Sequence, residues 1–254
     1  MIYGLYLSAS GVLTNSYRQD VIANNIANAE TVGFRRDLAL FQERLTEAQA
    51  GRFRGGITND LLEPLGGGLF AAPTLIDARQ GELERTGNNL DIAIEGSGYF
   101  LVDDSGTQRL TRNGSLMIDR AGNLILAHSG QKVLDDKRKS IVLNGALSSQ
   151  TEIADDGQIT QAGQLAGRIG VFDVPDPAQL SKRGRMLLDH PSVATLPAAT
   201  GSLIHGGSIE RANLEPTTEL AILMDAQRQL EANANMIRYQ DQTLGKLVNE
   251  VGKI

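Results

Sequence analysis

The sequence predicts an α+β protein in which long N- and C-terminal helices form a coiled-coil-like pair and flank a β-rich antiparallel central domain. Three observations predict it. Apolar residues recur at helical spacing over the first turns, a strict apolar heptad runs near the C-terminus, and the middle consists of short alternating runs separated by turn sequences. The 254 residues suit one large domain or two small ones, and 41% hydrophobic with 21% charged residues is ordinary globular composition.

The N-terminal helix rests on Ile2, Leu5, Tyr6, Ala9, Val12 and Leu13, then Ile22, Ala23, Ile26 and Ala27, at three-and-four spacing. It is expected to stop near Asn28, because Thr31 and Val32 continue a helix poorly and Gly33 accepts the left-handed conformation. Its polar positions include Ser8, Asn15, Ser16, Asn24, Asn25 and Asn28, all uncharged. Such a face suits contact with protein better than bulk water. Met1 to Tyr17 carry no formal charge and lack a basic start, so a cleaved signal peptide is not expected. Helix and following loop are assigned to residues 1–34.

Residues 35–80 read as an extended linker, centred on the glycine-rich stretch from Gly51 to Gly68. Residues 81–205 read as the β-rich domain. Leu90 to Glu95 alternates apolar and polar residues, Gly96-Ser97-Gly98 makes a turn, and Tyr99 to Val102 forms a short apolar strand. Further strands are expected at Leu116 to Ile118, Leu124 to Leu126, Ser140 to Leu143, Glu152 to Ile153 and Arg168 to Phe172. Asp103-Asp104-Ser105-Gly106, Asn113-Gly114, Asn144-Gly145 and Asp155-Asp156-Gly157 supply turn chemistry between them. Short strands at this spacing suggest a sandwich-like or barrel-like arrangement.

Residues 206–254 hold the C-terminal helix. Glu215-Pro216-Thr217-Thr218-Glu219 has proline in the first turn and acidic residues favoured by the helix dipole. Leu223, Leu230, Ile237, Leu244 and Val251 then recur every seven residues, beside a mixed row of Leu220, Gln227, Ala234, Asp241 and Val248. A helix from 217 to 251 spans about 50 Å at 1.5 Å per residue, and its stripe needs a partner to cover it.

Composition excludes several classes of function. A net charge of −6 repels nucleic-acid phosphate. The absence of cysteine removes thiol nucleophiles, thiolate metal sites and disulfides. No run approaches the roughly 18 to 20 apolar residues of a membrane-spanning helix. His128, His190 and His205 are too far apart in sequence for a local metal motif. The Asp pairs 103/104, 135/136 and 155/156 read as turn residues, and Gly66-Gly67-Gly68 lacks the Lys-Ser or Lys-Thr of a phosphate loop. A glycoside-cleaving reading on Asp91, Glu95 and Asp119 needs two of them about 5 to 10 Å apart in a cleft. No catalytic, cofactor-binding or metal site is expected.

Three blocks carry a resemblance. Asp20 to Arg36, containing Asn24-Asn25-Ile26-Ala27-Asn28 and Val32-Gly33-Phe34-Arg35-Arg36, closely resembles the N-terminal signature of the bacterial flagellar rod and hook proteins. Asn89 to Val102, followed by Leu110-Thr111-Arg112-Asn113-Gly114-Ser115, is similar to the central motif of that family. Asn213-Leu214-Glu215-Pro216, Gln227 to Asn233 and Gln242 to Leu247 resemble its C-terminal helix. The blocks lie in the family's order and run nearly end to end.

The resemblance implies a structural axial subunit of the flagellar basal body, located in the periplasm and exported without a cleaved signal by the flagellar type III apparatus. The implied partners are further copies, other rod and hook axial proteins, the export apparatus and the surrounding basal-body rings, with no nucleic acid and no direct membrane insertion. An assembly interface is expected at Leu5, Val12, Ile22, Asn24, Asn25, Ile26, Asn28, Gly33 and Phe34, facing Leu223, Gln227, Leu230, Asn233, Ile237, Leu244 and Val251. Asn24, Asn25, Asn28, Gln227 and Asn233 would pin its register. The stretch Phe172 to Leu188, with Ser181-Lys182-Arg183-Gly184, looks more like a proximal-rod protein than a distal one. A distal-rod or hook-type subunit, or a soluble coiled-coil adaptor, is the alternative.

Overall fold

The computed structural model describes residues 2–45 and 68–251. The glycine-rich stretch between Gly51 and Gly67 lies outside the described residues. Two α-helices, seventeen short strands and three short 3-10 helices make up the regular structure of the described residues, which sort into two compact units.

One unit holds both helices. α1 spans Ile2–Ala27 and α2 spans Pro216–Val251, with the proline at the helix start as its fixed φ favours. β1 (Asp37–Glu43) and β2 (Leu69–Ile76) pair as a two-stranded sheet, whereas the sequence reading gave both segments to the linker. The apolar content of Leu38-Ala39-Leu40-Phe41 and Leu69-Phe70-Ala71-Ala72 favours strand, and contacts with α1 hold the ribbon in place. Tyr17 donates its hydroxyl to Ala72 O at 3.2 Å and meets Phe41 edge-on at 6.4 Å. Arg44 Nη1 donates to Tyr6 OH at 2.8 Å.

The heptad along α2 needs one correction. Leu223, Leu230, Ile237 and Leu244 are half-buried, but in the expected companion row only Ala234 is. Leu220 and Val248 are exposed at 47% and 70%, and Gln227 and Asp241 are exposed as well. The inward companion row is offset by one residue and consists of Glu219, Ala226, Asn233 and Gln240. Two of these side chains lie at a close approach to α1: a methyl group on Gly4 would lie 2.8 Å from Gln240 Nε2, and one on Gly11 would lie 2.8 Å from Asn233 Nδ2.

The second unit comprises residues 27–36 and 76–215. After the loop 27–36 come β3 (Leu83–Arg85), β4 (Ile92–Glu95), β5 (Tyr99–Asp104), β6 (Thr107–Thr111), β7 (Leu116–Ile118), β8 (Leu124–Leu126) and β9 (Lys132–Val133). β10 (Thr151–Ile153), β11 (Gln158–Gln161), β12 (Gln164–Arg168), β13 (Val171–Phe172), β14 (Ser181–Arg183), β15 (Leu187–Asp189), β16 (Leu203–Gly206) and β17 (Ser208–Glu210) complete it. The principal sheet has the order β14-β15-β6-β5-β9-β8-β7, with β13 added to β5. β10-β11-β12 form a separate meander, β16 pairs with β4, and β17 pairs with β3. Every registered pairing within this unit is antiparallel.

β5 explains why Tyr99 to Val102 reads as a continuous apolar run. Phe100 and Val102 enter one core, with Ile92, Ile94, Leu124 and Ile159, while Tyr99 and Leu101 enter another, with Leu110, Leu134, Phe172 and Leu180. Successive strand residues point to opposite faces, and here both faces are covered. The same applies at β4, where Ile92, Ala93 and Ile94 are all 0% exposed. Two expected strands change. Ser140 to Leu143 makes only single bridges, because Ile141 N donates to Val133 O while Leu143 N donates to Gly122 O, so no one partner continues. Arg168 to Phe172 divides at Gly170, where an added methyl group would lie 2.5 Å from Asp135 O.

Candidate assembly site

The N-terminal signature divides at Ala27. Its helical half belongs to α1, and its loop half, residues 27–36, folds into the β-rich unit. Gly33 takes φ +68, and a methyl group there would lie 2.4 Å from Arg112 C and Asn113 N, so only glycine lets the loop lie against that backbone. Gly33 N donates to Glu210 O at 2.7 Å. Phe34 is 1% exposed, with Lys182 Nζ 3.8 Å above its ring. The Ser181-Lys182-Arg183 strand therefore covers the signature phenylalanine.

The next residue enters a buried charge cluster. Arg35 Nη1 lies 2.9 Å from Glu210 Oε1, and Arg112 Nη1 lies 3.1 Å from Glu210 Oε2, so one carboxylate bridges two guanidiniums. Gly81 N donates to the same Oε1 at 2.9 Å, and Glu210 is 1% exposed. Arg35 also donates to Arg79 O, and Arg112 donates to Gly96 O at 2.7 Å while stacking 5.0 Å from the centroid of Tyr99. Burial pulls the Arg35 guanidinium below its ordinary range, Glu210 opposes this, and the like charge of Arg112 adds to it. Burial likewise pushes the Tyr99 phenol up.

Arg36 and Asn213 extend the junction. Arg36 N donates to Asn213 Oδ1 at 2.8 Å, and Asn213 Nδ2 donates to Asp77 O and Arg79 O at 2.9 and 2.8 Å. Hydrogen bonds from Arg79 hold the Asp77 carboxyl below the usual carboxylate range, against the effect of burial. Residues from all three resembling blocks, Arg35, Arg112 and Asn213 among them, thus meet within one unit.

The other acidic candidates have hydrogen-bond partners of their own. Asp119 accepts from Asn123 N and Nδ2, Asp103 from Gly106 N, Asp135 from Lys137 N and Lys139 N, and Asp156 from Gln158 N. These are turn bonds. Asp91 accepts from Thr86 Oγ1 at 2.7 Å, and Glu95 meets His205 Nε2 at 2.5 Å across β4 and β16, a pair that sequence spacing gave no means of finding.

Comparison with known proteins follows the same division. Residues 5–35 match the model of the flagella basal body rod protein family, residues 93–161 that of the flagellar hook protein FlgE/F/G D1 domain, and residues 205–250 that of the flagellar basal body rod FlgEFG protein C-terminal region. The flagellar basal-body rod protein FlgF of Caulobacter vibrioides is 31% identical over 253 residues, covering 98% of each chain. The chain belongs to the flagellar basal-body rod protein family. FlgG of Bacillus subtilis is 30% identical over 269 residues, covering 98% of this chain and 99% of that one. FlgF of Rhizobium meliloti is 28% identical over 257 residues, covering 98% of both.

As a rod protein the chain is a structural subunit, and its expected interface residues fall into three groups. Gly33 and Phe34 are buried inside the β-rich unit, as is Asn28 at 4% exposure. Asn25 is 2% exposed and engages Asp37 within its own chain, and Ile22 is 5% exposed. Leu5, Val12, Ile26, Leu223, Leu230, Asn233, Ile237 and Leu244 are half-buried, whereas Asn24 and Gln227 are exposed. The Val251 side chain lies outside the described residues. Sequence reasoning missed Arg112, Glu210 and Gln240. Their partners are distant in sequence, and a glutamate ending a short strand carries no local signal.

Proposed function

We propose that this rod subunit assembles helically through its terminal helices, α1 and α2 pairing as a coiled coil, to build part of the periplasmic drive shaft and export channel of the flagellum. The observation that carries the reading is the unmatched apolar surface of the helices. Leu13, Met224, Met236, Tyr239 and Val248 are exposed at 72%, 56%, 51%, 67% and 70%, and the half-buried heptad runs beside them. Apolar area on this scale is the kind that a neighbouring subunit covers. Open heterologous contacts, the same patch meeting a different patch on the next copy, extend into a helix where a closed oligomer stops.

Export by the flagellar type III route, periplasmic placement, and contacts with other axial proteins and the basal-body rings belong to this reading. So do the division into residues 1–34, 35–80, 81–205 and 206–254 and the helical interface around Leu223, Leu230, Ile237 and Leu244. The similarity to FlgF over nearly the whole chain and the basic strand over Phe34 favour a proximal-rod position. Electron microscopy of basal bodies tests it, comparing a deletion strain with one carrying Leu230→Asp and Ile237→Asp. Missing or truncated rods in both strains, with truncation low in the rod, are expected. Intact rods in the deletion strain overturn the reading and favour a coiled-coil adaptor.

A further inference from the structure

We infer that the register between the two terminal helices is set by amide side chains lying over two glycine notches, Gln240 on Gly4 and Asn233 on Gly11, and not by the leucine heptad. The inference rests on the proposed pairing of α1 with α2. A methyl group on Gly4 would lie 2.8 Å from Gln240 Nε2, and one on Gly11 would lie 2.8 Å from Asn233 Nδ2. The amides occupy the space that any larger residue at either glycine would take. The two contacts stand seven residues apart on each helix and run in opposite directions, so the helices are antiparallel here. One more heptad step sets position 18 opposite 226. Arg18 shares a surface depression with Ala221, Ile222 and Asp225, and Ala226 is 0% exposed. A further step sets Asn25 opposite Glu219, each 2% exposed.

The leucine row cannot choose this register. Leu223, Leu230, Ile237 and Leu244 repeat every seven residues, so a slip of one heptad returns a large aliphatic side chain to nearly every place. The companion row breaks the symmetry. One slip sets Arg18 on Asn233 with no notch to receive it, and the other sets Gly11 on Ala226 and leaves the notch empty. A polar residue within an apolar seam fixes register in this way because only one alignment accommodates it. The buried Oε1 of Gln240 has no hydrogen-bond partner among the described residues, which fits a row selected for alignment more than for stability.

The absence of cysteine makes the test clean. Full-length chains carrying Gly4→Cys with Gln240→Cys report the observed register, and chains carrying Gly11→Cys with Gln240→Cys report the slip. Oxidation in cells assembling basal bodies is followed by electrophoretic mobility of the intrachain crosslink. The first pair is expected to crosslink about tenfold or more over the second. Adding Asn233→Ala to both, which makes room for Arg18, is expected to raise the slipped crosslink to within about threefold of the matched one. A slipped crosslink that stays at background with Asn233→Ala overturns the inference and leaves the pairing intact. If neither pair crosslinks within a chain, the pairing itself is wrong.

Discussion

Asn25 grips the backbone of Asp37 from both sides, its Nδ2 donating to Asp37 O and its Oδ1 accepting from Asp37 N, both at 2.9 Å. A single amide thereby imitates the two-bond pairing of a strand neighbour and starts β1 alongside the end of α1. An aspartate would keep the acceptor and lose the donor, and a leucine would lose both. Asn25→Leu is expected to speed exchange of the Asp37 amide proton about 5- to 30-fold, as measured by hydrogen exchange. Unchanged protection would show that neighbouring groups hold the strand start without Asn25.

Glu210 faces both Arg35 and Arg112, and all three side chains are buried. Its removal leaves two desolvated guanidiniums together, whereas removal of Arg35 leaves the Arg112 pair standing. Glu210→Ala is therefore expected to destabilise the β-rich unit by about 3–5 kcal/mol, and Arg35→Ala by less, in urea unfolding of the full chain. Equal losses from the two substitutions would argue against the shared-carboxylate arrangement.

The depressed Asp77 pKa makes a prediction about acid. Because the folded carboxyl is held below its ordinary value of 3.8, the unfolded chain binds the proton first as pH falls. The stabilisation is present above about pH 5 and is lost as pH drops through 3.8 and below. Wild type is expected to exceed Asp77→Asn in melting temperature near neutrality, with the gap closing as pH falls below about 4. A gap independent of pH would assign the effect to packing.

Local chemistry carried most of what could be read from the chain itself. Pro216 and Glu219 mark the start of α2, Gly33 marks the left-handed loop, and Asp103 with Gly106 marks its turn, because each acts on residues within a few positions. Relations between distant segments were not legible. Leu220 and Val248 look like core residues by hydropathy, yet the close approach over Gly4 and Gly11 turns a row of alanine, asparagine and glutamine inward in their place. The alternation at Leu90 to Glu95 locates β4, but the burial of Ile92, Ala93 and Ile94 alike depends on segments distant in the chain. By sequence the signature loop is expected to face other subunits through Gly33 and Phe34, but both are buried inside the β-rich unit of their own chain.

The junction at Glu210 also sets an order of events. Arg36 and Asn213 are separated by 177 residues, and Arg35 waits for a carboxylate almost as far downstream. A chain that emerges from its N-terminus first, whether from a ribosome or through a narrow conduit, delivers the loop long before Glu210 and Asn213. Closing so long a span is entropically costly and slow, so the contacts that lock it form last. Early partners such as Asp37, Ala72 and Arg79 hold the N-terminal segment first, and the last segment of the unit to arrive, carrying Glu210 and Asn213, acts as the buckle.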